Sequence, residues 1–164
     1  MTSWDDVKTA APDLAARVQD RFEATGLGFV ATLRRDGAPR ISGIEPWFGL
    51  GHVWLGMMPK SLKARDLQRD GRFALHAATA DKEVSQGDAK IAGHAVEVPD
   101  PEQRKAFERG FAESTDVDVS ETGDYHLFRL DITEVVHMSV APERDAMLIE
   151  RWSPGRPATT IRRA

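Results

Sequence analysis

From Gly28 the hydrophobic pattern of the chain takes a period of two. "GFVATLRR", the turn "RDGA" and "PRISGIEPWF" read as a hairpin with Asp36-Gly37 at its tip, a dipeptide that favours tight hairpin turns. Gly49 and Gly51 then turn the chain into "HVWLGMM", which gives three consecutive strands in an antiparallel meander. Pro46 lies inside the second run, and proline cannot donate to a ladder, so an edge position or a bulge is expected there. "RFALHAAT", "AKIAGHAVEVP", a long or kinked "YHLFRLDI…EVVHMSV" and "AMLIERW" continue the strand signal. Six or seven short antiparallel strands predict a mainly β, α+β fold. A barrel, closed or partly open, removes the edges that a flat sheet of this size would expose.

Helices flank and interrupt these strands. Residues 3–24 carry Val7, Ala11, Leu14, Val18 and Phe22 at near-helical spacing, behind a Ser3/Asp6 capping box. Pro12 is expected to split this stretch, and Gly26 to end it. "SLKARDLQRD" forms a second helix with Ser61 as N-cap and Gly71 as its stop. Asp100-Pro101 opens a third, with Ala106, Phe107 and Phe111 turned inward. Residues 80–88 and 113–123 are expected to be exposed loops. The tail "SPGRPATTIRRA" has no apolar periodicity and is read as extended. The domain expectation is one unit over 1–164: an N-terminal helix at 3–24, a barrel over about 27–152 and the tail at 153–164.

The bulk properties narrow the function classes. The 164 residues carry a net charge of −4, against a general role in nucleic-acid binding. Cysteine is absent, which removes disulfides, thiolate metal sites and thiol nucleophiles. No apolar run is long enough to span a membrane, and the N-terminus lacks a secretory h-region. A cytoplasmic location is the default expectation.

One segment resists the reading of ordinary surface. Lys60, Lys63, Arg65, Arg69 and Arg72 gather where the third strand ends. A charged short helix usually only meets solvent. Here, however, cations sit in the first turn, where they oppose the helix dipole unless an anion offsets them. A phosphate at that end would satisfy Ser61, Lys63 and the free N–H groups together.

"GAPRISGIEPWF", "VWLGMMPKSLKARDL" and "GDAKIAGHAVEV", in that order, resemble the pyridoxamine 5′-phosphate oxidase-like family of flavin-binding split barrels. The likeness covers roughly residues 22–140. It implies a homodimer holding FMN, or the deazaflavin coenzyme F-420, in a cleft between subunits. By position, Arg40 and Ser42 would come from the strand beneath the flavin, with Arg40 reaching its phosphate. Met57 and Met58 match the strand end along the ring edge, and Ser61 and Lys63 the phosphate-binding Ser-x-Lys. Lys90 and Gly93 fall on a strand that faces the cofactor across the interface. The Gln expected near Lys90 and the C-terminal Arg-x-His of the true oxidases are missing, and Trp152 and Arg156 do not replace them. The vitamin-making reaction itself is therefore not expected.

The remaining candidates are weaker. His52, His76, His94, His126 and His137 each sit alone in a strand with no partner at ligand spacing, although His76 and His94 would line up on neighbouring strands. No metal site is expected. Some relatives of this family bind haem, which a strand histidine could ligate, but the sequence carries no dedicated haem motif. Glu45 is read as facing outward. Trp47, Trp54 and Trp152 suit a core or an interface better than a cofactor stack. Trp47, Trp54 and the strand at 124–140 would supply the dimer surface. "GLGFVA" precedes a strand, so it is no dinucleotide loop. The expected function is a flavin- or deazaflavin-dependent oxidoreductase passing hydride to or from a small conjugated or quinone-like substrate, with no side chain nominated as proton donor. The alternatives are a non-enzymatic flavin or tetrapyrrole carrier, and a barrel that has lost its cofactor and serves only as a binding partner.

Overall fold

A computed structural model describes residues 1–79, 81–115, 117–119 and 123–164. Its elements run α1 (Trp4–Ala10), α2 (Pro12–Glu23), β1 (Gly28–Leu33), β2 (Pro39–Ile44), β3 (Pro46–Gly49), β4 (His52–Met57), α3 (Leu62–Arg69), β5 (Arg72–Ala77), β6 (Asp88–Glu97), α4 (Pro101–Thr115), β7 (His126–Val140), β8 (Met147–Trp152) and β9 (Thr159–Arg163). The strands form one sheet in the order β2-β1-β5-β6-β7-β4-β3, with β8 on β7 and β9 on β8.

The hairpin forms as read: β1 and β2 pair antiparallel, Gly28 opposite Ile44 and Leu33 opposite Pro39. The meander does not continue from it. The run 39–48 breaks at Glu45, and its two halves pair with different partners, β2 with β1 and β3 with β4. Pro46 explains the break, since its ring leaves no N–H to extend the β2 ladder. β2 and β3 are thus the two ends of the sheet path, yet only Glu45 separates them in the chain. The sheet must curl until its ends meet, which makes a barrel without hydrogen-bonded closure.

The split shows at β7, whose 15 residues are shared by three neighbours. One edge takes β6 over 128–138, while the other takes β4 at 126–129 and β8 at 135–140. A register shift between Ala92 and Gly93 bends the β6–β7 pair, the usual effect of a bulge. Gly93 lies hard against the β7 backbone; a Cβ there would meet the Asp131 carbonyl at 2.0 Å.

Two apolar clusters hold the molecule. The larger fills the barrel and takes in Val7, Leu14, Val18 and Phe22 from α1 and α2, the periodic set read from the sequence. The Ser3/Asp6 capping box is present, and Pro12 stands in the first turn of α2. The smaller cluster joins Trp54, Val98, Phe107 and Leu127, with α4 laid over the outer face of β3 and β4. It covers Trp54 and half-covers Trp47, so the surface expected from those tryptophans for dimerisation is largely taken by α4.

Other sequence expectations shift. Gly71 does not end α3 through a left-handed turn; it is small because a Cβ would meet the Ala95 carbonyl at 2.7 Å. His76 pairs with Lys90 and His94 with Arg72, so these two histidines do not line up. The tail forms a ninth strand on β8. Residues 113–115 belong to α4, while residues 80, 116 and 120–122 of the two expected loops lie outside the described residues. No helix among the described residues is long and apolar enough to cross a membrane.

Candidate functional site

Where β4 ends, the chain turns through Met58-Pro59-Lys60 into α3. The turn is tight: the Ser61 N–H donates to the Met58 carbonyl at 3.2 Å, and Lys60 takes a φ of +65°, uncommon outside glycine. Ser61 stands at the N-cap position, but its hydroxyl makes no capping hydrogen bond. The first turn of α3 therefore presents N–H groups and a serine hydroxyl with no side-chain partner.

These groups open into a cavity of about 630 Å³. Phe29 of β1 and Leu27 just before it form one wall, Gly43 of β2 and Glu45 just after it another, and Gly56 and Met57 of β4 with Met58 of the turn a third, with Lys60, Ser61 and Lys63 at the helix end. Lys63 spans the gap from helix to sheet, its ammonium donating to the Gly43 carbonyl at 2.5 Å. Partial burial pushes the Lys63 pKa down, and the Glu45 carboxylate opposes that shift. At both Gly43 and Gly56 an added Cβ would meet nothing within 4 Å, so the floor between β2 and β4 is flat backbone facing open space.

Of the residues singled out from the sequence, Met57, Met58, Ser61 and Lys63 come together around this cavity. Arg40, Ser42 and Lys90 do not line it. Ser42 sits in the β1–β2 ladder opposite Val30. The Lys90 ammonium approaches the Met138 sulfur at 3.3 Å. Arg40 is committed to Asp66 on α3, with Nε donating to its carboxylate at 2.6 Å. Glu45 is exposed, as expected, but at the mouth of the cavity. Arg162, on β9, is engaged with Asp145 and Glu143 in the loop between β7 and β8.

Asp66 is the residue that sequence reasoning missed. It is buried, and it accepts hydrogen bonds from Arg40, from the Thr32 hydroxyl at 3.0 Å and from Arg69 at 3.2 Å. Burial pushes its carboxyl up, but the three hydrogen bonds outweigh that and hold the pKa below the usual carboxylate value. The cluster ties α3 to β1 and β2 and so fixes where the helix N-terminus points. Its one sequence signal is position: Asp66 falls between Ala64 and Leu67 on the buried side of the helix.

A second chamber of about 430 Å³ adjoins the first and shares Glu45, Gly56, Met57, Met58 and Pro59 with it. Aromatic side chains from β3, β4 and α4 wall it. None of the five histidines lines either chamber. Among the described residues, no three His, Asp or Glu side chains converge as a metal site.

A flat ring carrying a phosphate suits the first chamber. Its anion would meet the helix N-terminus, Ser61 and Lys63, and its ring would lie on the glycine floor against apolar walls. A curled antiparallel sheet, left open along one edge and carrying such a chamber, defines the split-barrel class. Within that class, the sequence model described as Pyridoxamine 5'-phosphate oxidase matches residues 14–139, and the chain belongs to this family.

Solved structures agree on the fold. An FMN-binding protein related to pyridoxamine 5'-phosphate oxidase, from Nostoc punctiforme, is 13% identical; the match covers 94% of this chain and 96% of that one, with a TM-score of 0.68. PhzG from Burkholderia lata, solved with tetrahydrophenazine-1-carboxylic acid, is 16% identical over 97% and 94%, with a TM-score of 0.67. The haem storage protein HutZ from Vibrio cholerae is 16% identical over 75% and 89%, with a TM-score of 0.58. At these identities the likeness concerns the fold. No curated protein matches the sequence.

Proposed function

We propose that this protein is a homodimeric oxidoreductase that uses FMN or the deazaflavin F-420 to act on a small conjugated or quinone-like substrate. The carrying observation is the uncapped Ser61 with Lys63 at the start of α3, facing the open glycine floor of β2 and β4. When bound, such a cofactor supplies two-electron hydride chemistry, while the protein contributes position, electrostatics and exclusion of water. Ser61 and Lys63 would hold the phosphate, Gly43 and Gly56 would admit the ring, and Met57 would pack along its edge. Lys60 and Arg65, both exposed beside the helix start, would meet the longer anionic tail of F-420.

An exposed apolar face around the chamber supports the dimer. Leu27, Phe29, Ile41, Met58 and Leu62 are all large, apolar and exposed, and lie just before or on β1, on β2, or in the β4–α3 turn and helix start. A second copy covering this face would also roof the cofactor ring.

The fold likeness to HutZ keeps a haem carrier as the second reading. The histidine positions weigh against it, because none lines either chamber. Titration of cofactor-free protein with FMN, F-420 and haem, followed by fluorescence and visible absorbance, tests the proposal. Tight binding of FMN or F-420 followed by turnover with a reducing partner is the expected result. Haem binding alone, or flavin binding without turnover, would replace the enzyme with a carrier.

A further inference from the structure

The second chamber differs from the first in charge and in walls. Trp47, Trp54, Phe107, Phe111 and Tyr125 line it, and their rings pack on one another. Trp47 meets Phe107 edge-on at 5.3 Å, and Phe107 stacks on Phe111 at 5.5 Å. The polar handles of these rings are already used. Trp47 donates to the Ser114 hydroxyl at 2.9 Å, Trp54 to the Gly49 carbonyl at 2.8 Å, and Tyr125 to Glu108 at 2.9 Å. What the rings offer a ligand is therefore apolar surface and the faces that neither a neighbouring ring nor Arg104 covers.

The charged residues of the lining are two carboxylates, Glu45 and Asp124, both exposed at its mouth. No lysine or arginine lines it among the described residues. One guanidinium, that of Arg104, sits 4.2 Å over the Tyr125 ring and donates to the carbonyls of Val98 and Tyr125. Glu108, behind Tyr125, adds a further negative charge.

We infer that this aromatic chamber is the substrate seat, and that it selects a cationic planar aromatic ring over an anionic ring of the same shape. This rests on the assignment of the adjoining chamber to the cofactor, with which it shares the Gly56–Pro59 ridge. The warrant is charge complementarity. Aromatic faces attract cations through their quadrupoles, and the two carboxylates add Coulomb attraction. An anionic ring would lose both and meet like charge. Glu45 stands on the shared ridge and faces both chambers; Lys60 and Lys63 mark the first, which takes the anion of the cofactor, and Asp124 marks the second, which takes the cation.

Calorimetric titration of cofactor-free protein with N-methylacridinium and with acridine-9-carboxylate, at low ionic strength, tests this. The cation is expected to bind at least tenfold tighter than the anion. Asp124→Asn, which leaves the first chamber untouched, should lower that ratio severalfold, and Phe111→Ala should weaken the cation with little change to FMN or F-420 affinity. Melting curves of both variants check that the fold persists, and Asp124→Asn, on the surface, carries the test if Phe111→Ala melts. Equal affinities, tighter binding of the anion, or a ratio unmoved by Asp124→Asn would each overturn the inference. Failure of FMN and F-420 to bind the unsubstituted protein would instead strike the cofactor assignment. If the cation preference survived that failure, the chamber would be a cation site but not the substrate seat of a flavin enzyme, and the inference would fall with it.

Discussion

Arg40 on β2 donates its Nε hydrogen to the carboxylate of Asp66 on α3 at 2.6 Å, and that contact, with the Thr32 and Lys63 bonds, joins the sheet edge to the helix whose N-terminus faces the first chamber. The Asp66 side chain is only 5% exposed and Arg40 23%, so the pair is largely dry. Breaking a buried pair by removing one partner costs about 3–5 kcal/mol. Partial exposure of Arg40 places Asp66→Ala nearer about 2–4 kcal/mol. Chemical denaturation should show that loss. The sign with pH follows from a carboxyl held below its unfolded value. The stabilisation is present above about pH 4 and is lost as pH falls through the folded value. A variant with unchanged acid stability would remove Asp66 from this role.

Lys63→Ala is expected to weaken FMN or F-420 binding about ten- to a hundredfold, the scale of a charge-assisted hydrogen bond. The comparison residue is Arg65, which is exposed on the same helix and should change affinity far less. Arg69 is unsuitable as a control because it bonds both Asp66 and the Leu33 carbonyl. Dissociation constants from cofactor fluorescence decide this, and equal small effects would return the helix to ordinary solvated surface.

Gly43→Val tests the chamber floor without touching a charge. The added side chain meets no neighbour within 4 Å of its Cβ, and valine suits a strand better than glycine. The melting temperature should hold or rise, while cofactor affinity falls more than tenfold. Retained affinity would place the ring elsewhere.

Ile41 and Met58 are 74% and 80% exposed, high for large apolar side chains. Light scattering should give twice the chain mass at micromolar concentration, and Ile41→Glu should shift it towards the monomer. A monomer before substitution would sink the dimer.

His137 is buried against Glu150, Arg17 and the Gln86 backbone, and burial pushes its pKa down. Below about pH 6.5 the unfolded chain takes up a proton that the folded one refuses, so stability should fall as pH falls. The slope is at most about 1.4 kcal/mol per pH unit for one such group. His52, also held down by burial, acts in the same direction. Urea midpoints between pH 7.5 and 5.5 should therefore decline, and His137→Gln should flatten part of that decline. An identical slope in the variant would assign the effect elsewhere.

Local pattern determined much of this protein. Alternation, the Asp36-Gly37 turn, the capping box at Ser3 and the proline in the first turn of α2 are decided by neighbours in sequence. They appear in the structure where the sequence puts them. The basic start of α3 was legible for the same reason, because dipole and charge act within one turn. Tertiary structure decided what no local rule contains. Pro46 marked an edge position or a bulge in the second strand run, but only the barrel shows that the run breaks there and that its halves join opposite ends of the sheet path. Arg40 matches a phosphate-binding position by resemblance, and only the packing of α3 against the sheet shows that its Nε is paired with Asp66. Trp47 and Trp54 looked available to a partner until α4, distant in sequence, covered Trp54 and half-covered Trp47. Pairing between residues far apart in the chain depends on closure, and closure is set by the whole sheet.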